Sequence, residues 1–148
     1  GKRAGESAAA CAARDGAGRT RLAATIEQSE RTVLDLDDVR NSLRSLMGRN
    51  LGVEREGDRM RESAEIIDFW ARYVMDKTFS EPGGWELQNM LTACRLLVSA
   101  ALERTESRGV HYRLDYPDSD NENWRCHLQL ARSREIERCP VAANAGTA

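Results

Sequence analysis

The near-unbroken repeat of apolar side chains between Leu87 and Leu102 constrains this chain more than any other feature. Leu87, Met90, Leu91, Cys94, Leu97, Val98, Ala101 and Leu102 recur at spacings of three and four. That spacing places them on one stripe of a helix, and the stripe must be buried against another element. A strand could not use the pattern, because it would send successive side chains to opposite faces. SEPGG at 80 to 84 marks the start of this segment, and Gly109 is its expected stop.

Two more segments carry stripes of the same period. Met60, Ala64, Ile67, Trp70, Ala71 and Val74, widened by Phe69 and Tyr73, predict a helix from Gly57 or Asp58 to about Lys77. Leu36, Val39, Leu43, Leu46 and Met47 predict another that ends near Asn50 and Gly52, with Asp35 or Asp37 as its N-cap. The two later helices, each roughly 30 Å long and joined by a short turn, should run antiparallel. The expected fold is all-α, a three-helix antiparallel bundle over residues 35–127 with a short extended C-terminal appendage. Before it, the Ala-rich AGESAAACAA reads as a helix stopped by DGAG, with a polar connection over 19–32. Residues 1–34 are thus expected to be a helix and linker, and 128–148 a flexible tail.

Charge and cysteine usage exclude several classes. With 22 basic and 24 acidic residues the formal charge is −2, which offers no electrostatic footprint for nucleic acid or an anionic membrane. LLVSAAL at 96 to 102 is far below the roughly 20 apolar residues of a membrane span. No secretory leader is evident, and the chain opens with Gly, as a fragment or a processed protein would. Cys11, Cys94, Cys126 and Cys139 lack paired CxxC spacing, so reduced thiols of a cytoplasmic protein are expected and no metal site.

The stretch ESRGVHYRLDYPDSDNENW, 106 to 124, breaks the helical pattern. In VHYRLDY, alternation would set Val110, Tyr112, Leu114 and Tyr116 on one side and His111, Arg113 and Asp115 on the other, over six or seven extended residues. A catalytic reading makes His111 a general base oriented by Asp115, with Arg108 holding an anionic substrate. The structural reading is a charge-assisted network of Arg108, His111, Arg113 and Asp115 that pins the segment to a neighbouring surface. The structural reading is the expectation, with no catalytic, cofactor-binding or metal-ligating residue in the chain; His127, beside Cys126 and near Trp124, is read in the same way. AGESA and GAGR have neither the preceding strand nor the spacing of a dinucleotide-binding loop.

These residues carry a resemblance. Glu106-Ser107-Arg108-Gly109, then His111, Arg113, Asp115, Tyr116 and Pro117, an acidic loop and Trp124 resemble the C-terminal signature of the succinate dehydrogenase, fumarate reductase and L-aspartate oxidase flavoprotein family. VRNSLRSLMGRNLGVER resembles the first C-terminal helix of that family and its following turn, although Gly48 stands where the family carries Trp. ELQNML resembles part of a later helix, and GKRAGESAA the end of the flavin domain. The likeness covers residues 1–9 and 36–127, and Tyr112 between His111 and Arg113 is most similar to the aspartate oxidase members. It implies the C-terminal domain of an FAD enzyme that oxidises L-aspartate to iminoaspartate for NAD synthesis. This chain would be inactive alone and would pack on the flavin-binding domain, with the flavin-contacting and hydride-transfer residues upstream. The alternatives are the same domain of a succinate dehydrogenase or fumarate reductase flavoprotein, or a free-standing helical interaction module.

Overall fold

A computed structural model describes residues 2–15, 34–131 and 135–141. Beyond Asp15 the DGAG stop lies outside these residues, as do the polar connection at 19–32 and 142–148. The elements in order are α1 (Lys2–Asp15), α2 (Leu36–Asn50), β1 (Glu54–Arg55), α3 (Gly57–Val74), α4 (Pro82–Glu103), β2 (Tyr112–Arg113), α5 (Asn121–Trp124), β3 (Cys126–Gln129) and β4 (Glu137–Pro140). Every α1 side chain that is described is exposed.

Local chemistry sets the helix starts. Asp35 is the N-cap of α2, its carboxylate accepting from the Asp37 and Asp38 amides at 2.9 and 3.0 Å. Pro82 opens α4, where its missing N–H costs nothing. Core formation follows the apolar stripes. Val39, Leu43 and Leu46 of α2, Met60, Ile67 and Val74 of α3, and Leu87, Leu91 and Val98 of α4 form one buried cluster. Each such side chain, removed from water, contributes about 1.5–3 kcal/mol before entropy is set against it. Trp70 only borders that cluster, and Leu97 is 44% exposed.

The all-α, three-helix expectation does not hold. Among the described residues there are five helices and two two-stranded sheets. β1 pairs in parallel with β2, Glu54 opposite Tyr112 and Arg55 opposite Arg113. A parallel pair needs a long crossover, and the whole of α3 and α4 supplies it. β3 and β4 pair antiparallel, from Cys126 opposite Pro140 to Gln129 opposite Glu137, so part of the segment expected as a tail lies in this ribbon. Two-residue strands have no period to read, and their partners are too distant in sequence for a local signal.

The appendage is also more compact than an extended run. Arg108 and His111 exchange backbone hydrogen bonds at 2.8 and 3.1 Å around Gly109, whose φ of +59° suits a residue without Cβ. α4 ends at Glu103, six residues before the expected stop.

Gly84, buried in the first turn of α4, faces Phe79 so closely that a Cβ would lie 2.2 Å from the ring. Gly84→Ala is expected to displace Phe79 and to cost about 1–3 kcal/mol, the usual range for overpacking. A urea midpoint equal to that of the parent would show that Phe79 moves aside freely.

Candidate functional site

The C-terminal end of α4 and the N-terminal end of α3 organise the site. A helix leaves its last carbonyls without intrahelical partners. The guanidinium of Arg113, 2% exposed, donates from NH1 to the carbonyls of Ala101, Leu102 and Arg104 at 3.1, 3.4 and 3.1 Å. It therefore caps α4 with a cation at the negative end of the helix dipole. Its other edge binds Asp115 through two bonds, Nε to Oδ1 at 2.7 Å and NH2 to Oδ2 at 2.6 Å.

Asp115 in turn reaches the start of α3, where its Oδ2 accepts from the Gly57 amide at 3.2 Å. The N-cap Glu56 makes no side-chain cap bond there, so a carboxylate 58 residues away in sequence serves the helix. One ion pair thus places its cation at one helix end and its anion at the other, each with the favourable sign. The bonds from Arg113 outweigh the cost of partial burial and hold the Asp115 carboxyl at about 2.

Arg108 belongs to a different cluster. Glu106 is 1% exposed, and its carboxylate accepts from Arg108 Nε and NH2 at 2.8 and 2.9 Å, Arg104 NH1 at 2.5 Å and the Asp120 amide at 2.8 Å. Burial alone would push this carboxyl up; the Arg108, Asp120 and Arg104 bonds outweigh it and hold the group below its ordinary value. Arg104 also donates to the Trp124 and Cys126 carbonyls, and it lies with Arg138 over the Trp124 ring. This cluster ties the end of α4 to α5 and to β3.

His111 stands between the two clusters. Its Nδ1 is 2.8 Å from Arg55 NH1, which can only donate, and its Nε2 is 3.2 Å from the Arg104 carbonyl, which can only accept. The ring is therefore neutral, with its proton on Nε2. No His111–Asp115 bond forms, so the base-and-orienter pair of the catalytic reading is not assembled. Burial lowers the affinity of His111 for a second proton. The Arg104 carbonyl opposes that effect, and the Arg55, Arg113 and Arg104 charges reinforce it.

The sign of the pH effect follows. The unfolded imidazole takes a proton near its ordinary 6.5, and the folded one only at lower pH. Stability is therefore fully present above that value and falls as the pH drops through it. His111→Gln is expected to reduce the loss of stability between about pH 7.5 and about pH 5.5. Equal urea-midpoint losses in parent and variant would place the titration elsewhere.

The outer face of the same stretch is apolar. Val110, Tyr112, Leu114 and Tyr116 are 75, 39, 51 and 44% exposed, while His111 and Arg113 are buried. The alternation expected from the sequence holds over 110–114 only: Asp115 is exposed on the solvent side of Arg113, and the chain turns so that the Tyr116 ring lies 4.9 Å from the Arg113 guanidinium. Sequence reasoning missed Glu106, Arg104 and Arg55. Glu106 and Arg108, two apart in non-helical chain, could have been paired from the sequence; Arg55 meets His111 across 56 residues and has no local signal.

Comparison with known proteins fits this architecture. The family described as fumarate reductase flavoprotein C-term matches residues 40–145, and the chain belongs to that family. It is 35% identical over 99 residues to an L-aspartate oxidase of Streptomyces coelicolor, a match covering 62% of this chain and 17% of that protein. A fumarate reductase flavoprotein subunit of Helicobacter pylori is 32% identical over 99 residues, covering 61% of this chain and 14% of that one. The chain thus spans less than a fifth of the length of these relatives. Adenylylsulfate reductase from Archaeoglobus fulgidus shares the fold, with a TM-score of 0.66 at 18% identity over 81% of this chain and 21% of that one.

Proposed function

We propose that this chain is the C-terminal domain of a cytoplasmic, FAD-dependent L-aspartate oxidase, the enzyme that converts L-aspartate to iminoaspartate in NAD synthesis. The observation that carries the docking part of this reading is the inverted face at 110–114, in a chain that belongs to a flavoprotein C-terminal family. Val110, Tyr112 and Leu114, held out to solvent by the buried, satisfied His111 and Arg113, make a surface suited to being covered. Its partner in this reading is the flavin-binding domain of the same protein. Residues 1–34 end that domain and link it to 35–127, and Arg108, His111, Arg113 and Asp115 are structural and interdomain residues with no part in the chemistry. Tyr112 and the Streptomyces relative favour the aspartate oxidase branch.

The described residues do not fit FAD themselves. β1 runs directly into α3, but the helix start is occupied by the Asp115 carboxylate, with Glu56 and Asp58 beside it, and would repel a pyrophosphate. No step of the reaction is assigned to this chain. Among the described residues no helix is long and apolar enough to cross a membrane.

A second reading, the same domain of a fumarate reductase or succinate dehydrogenase flavoprotein, is favoured by the similar identity of the Helicobacter relative. One experiment separates the readings: express the longest reading frame that contains this chain, desalt it, and assay flavin content and turnover. Retained FAD with oxidation of aspartate and not succinate is expected, while the 148-residue chain alone should emerge colourless. Turnover of succinate or fumarate only would replace the first reading by the second. Stoichiometric flavin on the short chain would overturn the docking-domain assignment.

A further inference from the structure

An open cleft of about 270 Å³ lies beside His111, its lining combining the polar Arg55, Arg104 and His111 with the apolar Leu97, Ala100 and Leu128. Arg104 shares the Glu106 carboxylate with Arg108, and Arg113 has Asp115. Arg55 has no carboxylate partner among the described residues. Its guanidinium is nonetheless held in place, Nε donating to the Gly52 carbonyl at 2.8 Å and NH1 to His111 Nδ1 at 2.8 Å. Both NH2 hydrogens and the second NH1 hydrogen have no acceptor among the described residues. The Gly52 carbonyl takes half of the Nε/Nη2 edge, so the Nη1/Nη2 edge, with one Nη1 hydrogen and one Nη2 hydrogen, is the one that can give two parallel bonds to a carboxylate. Partial burial of Arg55, which disfavours its charge, makes an incoming anion more welcome.

We propose that this cleft is a receptor for a carboxylate on a short apolar stem, the carboxylate seated on Arg55 and the stem against Leu97, Ala100 and Leu128. The group is either an acidic side chain of a docked domain or a free aliphatic carboxylic acid. The proposal stands apart from the aspartate oxidase reading, since it uses only side chains of this chain.

Sodium butyrate is the probe, titrated into the 148-residue chain against sodium chloride at matched ionic strength, with NMR of the Arg55 Nε–H and the His111 ring as readout. Saturable movement of both signals is expected, half-complete on the order of 1–10 mM, a reasonable affinity for so small a ligand. 1-Butanol should move neither. Arg55→Gln should weaken binding by about tenfold or more, and Arg55→Lys by less. Leu97→Glu, at an exposed position where the fold tolerates change, should weaken it to a similar degree by placing a competing carboxylate in the cleft. No saturable movement, equal movement with chloride, or parent-like binding by a folded Arg55→Gln or Leu97→Glu chain would overturn the proposal. If Arg55→Gln does not fold, Leu97→Glu decides alone. Repeating the titration on the longest expressed protein identifies the source: binding lost there assigns the site to an acidic side chain of the docked domain, and binding retained assigns it to a free carboxylate.

Discussion

Leu91→Ala is expected to lower the unfolding free energy by about 2–5 kcal/mol, the range for truncating a fully buried Leu. Leu91 is 0% exposed and lies in the cluster contributed by α2, α3 and α4. Removing its isobutyl group forfeits transfer free energy and leaves a cavity that three packed helices cannot close completely. Leu97 provides the internal control. It lies on the same helix and is 44% exposed, so Leu97→Ala should change stability far less. Urea unfolding of the two variants and the parent checks the phase of α4. If Leu97→Ala proves the costlier change, the buried stripe of the helix has been assigned to the wrong face.

That pair of residues also shows how far the sequence was legible. A helix announces itself through a repeat that every turn reinforces, so Leu87, Leu91 and Val98 could be placed in the core from spacing alone. Spacing could not show where the stripe stops being covered. Leu97 lies on its edge, where the surface also opens into the cleft beside Arg55. The end of α4 was obscured for a related reason. Gly109 is a strong local stop signal, but the helix already ends at Glu103, with its carbonyls accepting from the Arg113 side chain. A cap supplied from ten residues further along the chain by a long side chain leaves no local trace.

The strands were illegible in a stronger sense. Glu54 and Arg55 are a strand only because Tyr112 and Arg113 lie beside them, a pairing made by two intervening helices. Alternation along 110–114 could nevertheless be read, because inward and outward side chains differ in chemistry, but it fails at Asp115 and Tyr116, where the backbone has turned after two extended residues. Which side faced inward could not be read. In an isolated soluble domain the apolar row would be expected inside; here His111 and Arg113 are buried because they bond the carbonyls at the end of α4, and the exposed Asp115 links Arg113 to the start of α3.

Glu106→Ala is expected to be at least as damaging as Leu91→Ala, at about 3–5 kcal/mol, because it breaks a buried ion cluster on one side only. The carboxylate that is lost accepts from Arg104, Arg108 and the Asp120 amide. Arg108 can turn to water, its side chain being 41% exposed, but Arg104 at 16% has little access and would be left under-compensated among the Trp124 and Cys126 carbonyls. Arg108→Ala should be milder, since Glu106 then keeps Arg104 and the Asp120 amide. The pH dependence provides a second readout. The folded Glu106 carboxyl sits below its ordinary 4.5, so the stability it contributes is present above that value and is lost as the pH falls through it. Glu106→Gln should therefore flatten the part of the acid unfolding curve just below about pH 4.5, while Asp115, held at about 2 by Arg113, continues to respond lower down. Thermal melts of the parent, Glu106→Ala, Glu106→Gln and Arg108→Ala at neutral and acid pH test this order. A Glu106→Ala chain as stable as the parent, with an unchanged acid limb, would mean that the cluster does not hold α5 and the apolar row of 110–114 in place.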